Sequence, residues 1–208
     1  MIISDDPKFI FVHVPRTGGT STRRALKEYC EPHYDDKALE KWHFKLSQYN
    51  EILNLDLTSY FKWTRVRNPW DRLVSIYSRR KRDKYFAKKF PQCSNLAKEK
   101  SFEEWAKVII SRNREPVEMY EGIYRHIFNQ RQYIENENLD FVSRFENINE
   151  DFDYFCKHVG IPNIELPKIN GFGRRPCKEY YNDELIDKLL NVESFKKDLD
   201  FLGYDYKP

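Results

Sequence analysis

The stretch Phe9–Leu26, FIFVHVPRTGGTSTRRAL, decides the fold. Lys8 to Val14 is a β-branched and aromatic run of the kind that makes a buried strand. Pro15–Thr20 (PRTGGT) breaks it, and helix formers return from Ser21 to Tyr29. Working outward, Glu40–Leu55 is mixed and helical in its second half. Tyr60–Val66 (YFKWTRV) makes a second strand, stopped by Asn68-Pro69. Proline then takes the first position of a helix with Trp70, Leu73, Val74 and Tyr77 at helical spacing and Asp71 in the first turn. Phe102–Ser111, Tyr124–Ile134 and Ile148–Val159 read as helices, and Leu139–Phe145 as a third strand. Pro162–Pro176 is a loop, and Asn182 caps a helix over Asp183–Leu190. Strand and helix alternate, which predicts an α/β layered fold with a mainly parallel sheet flanked by helices. No repeat or composition shift divides the chain, so a single domain over residues 1–208 is expected.

Composition narrows the function classes. A chain of 208 residues can bury a core without covalent staples. Aromatics at 16% (15 Phe, 14 Tyr, 4 Trp) argue against disorder despite 33% charged residues. The 36 Lys+Arg and 33 Asp+Glu leave +3, which excludes a polycation and an acidic tail. Phe9–Val14 is far short of the roughly 20 apolar residues of a membrane helix, so no stable membrane insertion is expected. MIISDDPK carries acids where a signal peptide needs basic residues. Cys30, Cys93, Cys156 and Cys177 are dispersed with no CxxC pair, so free thiols and a cytoplasmic location are expected rather than disulfides or zinc.

Two motifs carry chemistry. In Arg16-Thr17-Gly18-Gly19-Thr20-Ser21 the glycines let the backbone curl round a ligand, and successive N–H groups attract an anion. Arg16 adds a full charge, and Thr17, Thr20 and Ser21 add hydroxyls; the bland alternative is an ordinary turn between strand and helix. No lysine precedes Thr20, so this is not the GxxxxGK[ST] loop of magnesium–nucleotide enzymes. In RVRNPWDRLVSIY (65–77), Arg67 ends the second strand and Ser75 lies eight residues on. Both can reach one phosphate; alternatively Arg67 pairs a carboxylate and Ser75 merely faces the sheet. Residues 79–89 hold seven Lys/Arg and one Asp, a net +6 that reads as a solvated helix face or an attractor of an anionic glycan.

HVPRTGGTS followed about fifty residues later by RNPWDRLVSIY resembles the sulfotransferase superfamily. DFVSRFENINEDF (140–152) and LPKINGFGRRPCKEYYNDEL (166–185) resemble its carbohydrate branch, which includes the heparan 2-O and chondroitin sulfotransferases and shorter bacterial relatives. The resemblance implies a P-loop-like three-layer fold. It implies 3'-phosphoadenosine 5'-phosphosulfate (PAPS) as sulfate donor, with Arg16, Thr17, Gly18, Gly19, Thr20 and Ser21 on the 5'-phosphosulfate. Arg67 and Ser75 would bind the 3'-phosphate, with Arg174 and Arg175 of the late loop beside it. The family usually places lysine where Arg16 stands; arginine keeps the charge and adds a planar fork but is a poor proton donor, which leaves it an electrostatic role.

Sulfuryl transfer to a neutral hydroxyl needs a base, and histidine titrates in the right range. Of five histidines, His43 in KWHFKL matches the base of the carbohydrate branch, with packing beside Trp42 and Phe44 as the alternative. His33 in EPHYDD is the runner-up, and His13, His126 and His158 read as structural. No metal is expected, since no Asp/Glu/His group shows ligand spacing. The expected partner is a hydroxyl-bearing acceptor, a carbohydrate first. A nucleotide or small-molecule kinase on a related P-loop fold is the enzymatic alternative. A nucleic-acid module using residues 79–89 is the other, with no reading motif to support it.

Overall fold

The structure is a computed structural model that describes residues 2–30, 43–53, 56–112, 127–169 and 173–208. The chain divides into two compact units, Met1–Arg67 with Gln130–Ile169 and Asn68–Asn129 with Asn170–Pro208.

The first unit holds a four-stranded sheet in the order β1 (Ile2–Asp5), β2 (Lys8–Val12), β3 (Phe61–Val66), β4 (Phe141–Arg144). β1 pairs antiparallel with β2, whereas β2–β3 and β3–β4 are parallel, with Phe11 opposite Trp63 and Trp63 opposite Phe141. The mainly parallel sheet expected from the alternation is present, with β1 as an added antiparallel edge. Parallel strands need crossovers: α1 (Gly19–Ala25) and α2 (Leu46–Leu53) lie in the connection from β2 to β3, and α7 (Ile148–Val159) follows β4.

Both sheet faces are covered. Phe9, Phe11 and Trp63 pack with Phe152, Phe155 and Cys156 of α7, the Trp63 ring 4.3 Å from Phe155 and 4.5 Å from Phe11. Ile3, Ile10, Val12 and Val14 pack with Leu46, Leu57, Tyr60 and Tyr133. Coverage on two sides explains why KFIFV reads as a continuous apolar run rather than an alternating one. Asp140 holds the entry to β4, accepting from the Lys62 amide at 2.7 Å while pairing with the Lys62 ammonium at 3.2 Å.

In the second unit the described segments are helical: α3 (Pro69–Arg82), α4 (Lys84–Lys89), α5 (Pro91–Glu99), α6 (Phe102–Arg112), α8 (Asp183–Leu190) and α9 (Glu193–Leu202). Asn68 caps α3 by accepting from the Trp70 amide, and Pro69 takes its first position. Trp70, Leu73, Tyr77, Trp105, Leu189 and Phe195 form its core. Among the described residues no helix is long and apolar enough to cross a membrane, and all four cysteines are free thiols.

Where 124–134 reads as a helix, residues 127–134 form turns and a short 3-10 segment at Arg131–Tyr133, while 124–126 lie outside the described residues. The chain leaves one unit for the other at Asn129–Gln130. Ile127 and Phe128 join the helical core, and Tyr133 joins the sheet core, a division that one helical face could not satisfy.

Trp63 is fully buried at the centre of the first unit. Trp63→Ala is expected to cost about 3–5 kcal/mol, measured as a lower urea midpoint with little change in slope.

Candidate functional site

The turn from β2 to α1 is tightly specified. Arg16 sits at φ 70 and Gly18 at φ 86, so two of three consecutive loop positions are left-handed. For Gly18 that costs little; for arginine it is strained and needs outside support. Arg67 supplies it, donating from Nη1 to the Arg16 carbonyl at 3.1 Å. Thr17 turns inward, its Oγ1 donating to the Val14 carbonyl at 2.8 Å. The Gly18 carbonyl accepts from the Ser21 and Thr22 amides at 3.0 and 3.2 Å and starts α1. Thr20 is exposed, and Ser21 is buried at the head of the helix.

Gly19 is required by space and Gly18 chiefly by its left-handed backbone. A Cβ on Gly19 would lie 1.9 Å from Cδ2 of the His13 ring, and one on Gly18 would lie 2.9 Å from Ile148 Cδ1. His13, read as a packing residue, does pack: its buried ring lies against Gly19 and 4.8 Å from the His43 ring. Its carbonyl does more. The Nδ1 of His43 sits 3.0 Å from the His13 carbonyl oxygen. A carbonyl only accepts, so Nδ1 carries the hydrogen and the lone pair resides on Nε2, the tautomer a general base needs. The His43 carbonyl in turn accepts from Tyr133 Oη at 3.1 Å. His43 is thus a half-buried, oriented imidazole next to the loop.

Arg67 is itself held firmly. Its amide donates to Gln130 Oε1 at 3.0 Å, and its carbonyl accepts from Gln130 Nε2 at 2.8 Å. Its guanidinium lies over the Phe145 ring at 3.9 Å, a cation–π contact that leaves the charge intact. Gln130 and Phe145 were not singled out by sequence reasoning. Phe145 falls within the 140–152 motif, but nothing local marks Gln130, whose role depends on a partner 63 residues away.

The remaining expected residues lie in the second unit. Ser75 is buried on α3. Arg174 forms a bidentate pair with Asp71 in the first turn of α3, Nη1 to Oδ1 and Nη2 to Oδ2, the latter at 2.8 Å. Arg175 is exposed, over the Tyr180 ring at 5.0 Å and 3.9 Å from Glu179. The basic run divides by residue: Arg80 is buried over Trp105, Arg79 pairs with Asp83, and Lys81, Arg82, Lys84, Lys88 and Lys89 are exposed. His158 is exposed and packs on Phe61, while His33 and His126 lie outside the described residues. Among the described residues, no group of His, Cys, Asp and Glu could hold a metal ion.

A family model described as "Sulfotransferase family" matches residues 1–205. The chain is similar to carbohydrate sulfotransferase 11 of Rattus norvegicus and of Mus musculus, 24% identical to each over 236 residues. Those alignments cover 99% of this chain and 66% of each relative, so the chain spans just under two thirds of their length. No solved structure matches it.

Gln130→Ala removes both hydrogen bonds to the Arg67 backbone and leaves buried groups unsatisfied. It is expected to destabilise the fold by about 1–3 kcal/mol, read from urea unfolding.

Proposed function

The chain belongs to the sulfotransferase family, and from that premise we propose that it moves a sulfuryl group from PAPS to a carbohydrate hydroxyl. The acceptor class rests on the resemblance of the 140–152 and 166–185 segments and on the names of the similar rat and mouse proteins. The observation that carries the reading is the Nδ1–H bond from His43 to the His13 carbonyl, beside the Arg16–Ser21 turn.

The residues of the turn fit an anionic donor: two left-handed positions, amides at the start of α1, and the guanidinium groups of Arg16 and Arg67. Bound there, the donor supplies an activated sulfuryl group whose S–O bond to phosphate breaks as the acceptor oxygen bonds to sulfur. His43 Nε2 takes the proton of the acceptor hydroxyl, and the His13 carbonyl steadies the imidazolium through Nδ1–H. Arg16 and the turn amides stabilise the charge left on the departing phosphate oxygen. Arg16 is assigned charge stabilisation rather than proton donation, since its guanidinium stays protonated. Thr17 contributes through its backbone, because its hydroxyl hydrogen is committed to Val14.

Arg67 is assigned the 3'-phosphate and also maintains the Arg16 conformation. The parts that the resemblance gives Ser75, Arg174 and Arg175 are proposals of their own. Asp71 already holds the Arg174 guanidinium, so a phosphate contact from Arg174 would compete with that carboxylate. The P-loop-like character of the fold is likewise proposed on the strand–turn–helix unit that bears Arg16.

In a thermal-shift assay, adenosine 3',5'-bisphosphate is expected to stabilise the protein saturably and ATP-magnesium hardly at all; equal shifts would overturn the donor assignment. His43→Ala should retain the bisphosphate shift and cut transfer of radiolabelled sulfate to a polysaccharide acceptor by roughly 10²–10⁴-fold. Unchanged turnover in that variant would remove His43 from the base role.

A further inference from the structure

One cation lies deeper than the rest. Arg65, two residues before Arg67 on β3, is fully buried, with its guanidinium near the Trp63 and Phe11 rings at 5.4 and 6.0 Å. Its one hydrogen bond runs from Nη1 to Thr22 Oγ1 at 2.8 Å, and its buried Nε and Nη2 make none. Among the described residues no carboxylate forms an ion pair with it. Asp151 acts on it only at a distance, and its Oδ2 accepts from the Arg144 amide. Burial outweighs that attraction and pulls the guanidinium down to about 10, still charged at neutral pH.

An uncompensated buried charge is destabilising, and an apolar replacement of similar size is often neutral or favourable. The fold nevertheless directs this one at the phosphate turn. Thr22, which takes the Arg65 bond, sits in the first turn of α1 and sends both its amide and its hydroxyl to the Gly18 carbonyl, at 3.2 and 3.4 Å. Arg65 therefore reaches the left-handed Gly18 through a single, fully buried residue. In such surroundings a full charge acts on a nearby anion with little screening.

We propose that Arg65 is a positioning residue of the anion site: a buried cation behind the Arg16–Ser21 turn that fixes Gly18 through Thr22 and is balanced by the negative charge of the bound donor. This rests on the donor reading above. On this reading the turn is electrostatically primed, and the cost of the buried charge is offset when phosphate arrives.

Three variants test it by opposing effects on stability and affinity. Arg65→Met, with neither charge nor donor, should melt at or above the wild-type temperature without ligand, yet bind adenosine 3',5'-bisphosphate roughly tenfold more weakly or worse. Arg65→Gln, able to reach Thr22 but uncharged, should bind as weakly as Arg65→Met. Arg65→Lys should stay within about threefold of wild type, since it keeps the charge. Wild-type affinity in the Met and Gln variants would overturn the proposal, as would a Lys variant as weak as Met. Should Arg65→Met fail to fold, the Lys–Gln comparison decides alone. A wild-type protein that ignores the bisphosphate would sink the donor reading. The same three variants are then titrated with inorganic pyrophosphate, where the order wild type and Lys above Gln and Met upholds Arg65, and any other result refutes it.

Discussion

The shape of the turn at the candidate site depends on the hydrogen bond from the Arg67 guanidinium to the Arg16 carbonyl. Arginine does not adopt a left-handed backbone without constraint, because its Cβ crowds its own carbonyl there. Arg67 binds the carbonyl that this conformation presents and so makes the strained turn the stable one. It can do so because Gln130 grips the Arg67 backbone on both its polar groups and Phe145 lies beneath its guanidinium. The Arg16–Ser21 turn is thus shaped by side chains from the residue after β3, from Gln130 ahead of the 3-10 turn and from the segment after β4.

The same economy of contacts orients His43. His13 is a strand residue whose ring fills the space that glycine at position 19 leaves, and whose carbonyl selects the His43 tautomer. Glycine at 19, histidine at 13 and histidine at 43 therefore form one packing problem. A larger residue at 19 would push on His13 and so disturb the orientation of His43.

The sequence was most legible where the signal was local and strong. KFIFV ending in PRTGGT announces a buried strand and a special turn, and NPWDRL announces a capped helix; both lie where expected. The four-residue β1 was too short for any periodic pattern to show, and it exists because β2 offers it an antiparallel edge. The segment 127–134 carries apolar residues at intervals that suggest a helix, yet those residues serve two separate cores. Arg174 shows the limit of reading charge: a loop arginine looks the same in sequence whether it awaits a phosphate or, as here, grips an aspartate 103 residues away. Gln130 and Arg65 were unreadable for a related reason, since their importance lies in partners far along the chain.

The sheet that carries the turn is assembled from both sides of a long interruption. β3 ends at Val66, whereas its neighbour β4 begins at Phe141, and the bond from the Lys62 amide to Asp140 spans 78 residues. During synthesis β1, β2 and β3 emerge first and leave one edge of β3 without its partner until the later segment follows. Closing so large a loop is slow, because its entropy is lost before the pairing can repay it. Arg67, at the end of β3, also waits for Gln130 and Phe145 to clamp it. The Arg16–Ser21 turn should accordingly be among the last features of the nascent chain to mature, and a chain stalled before residue 130 would display the glycine motif without the means to hold its shape.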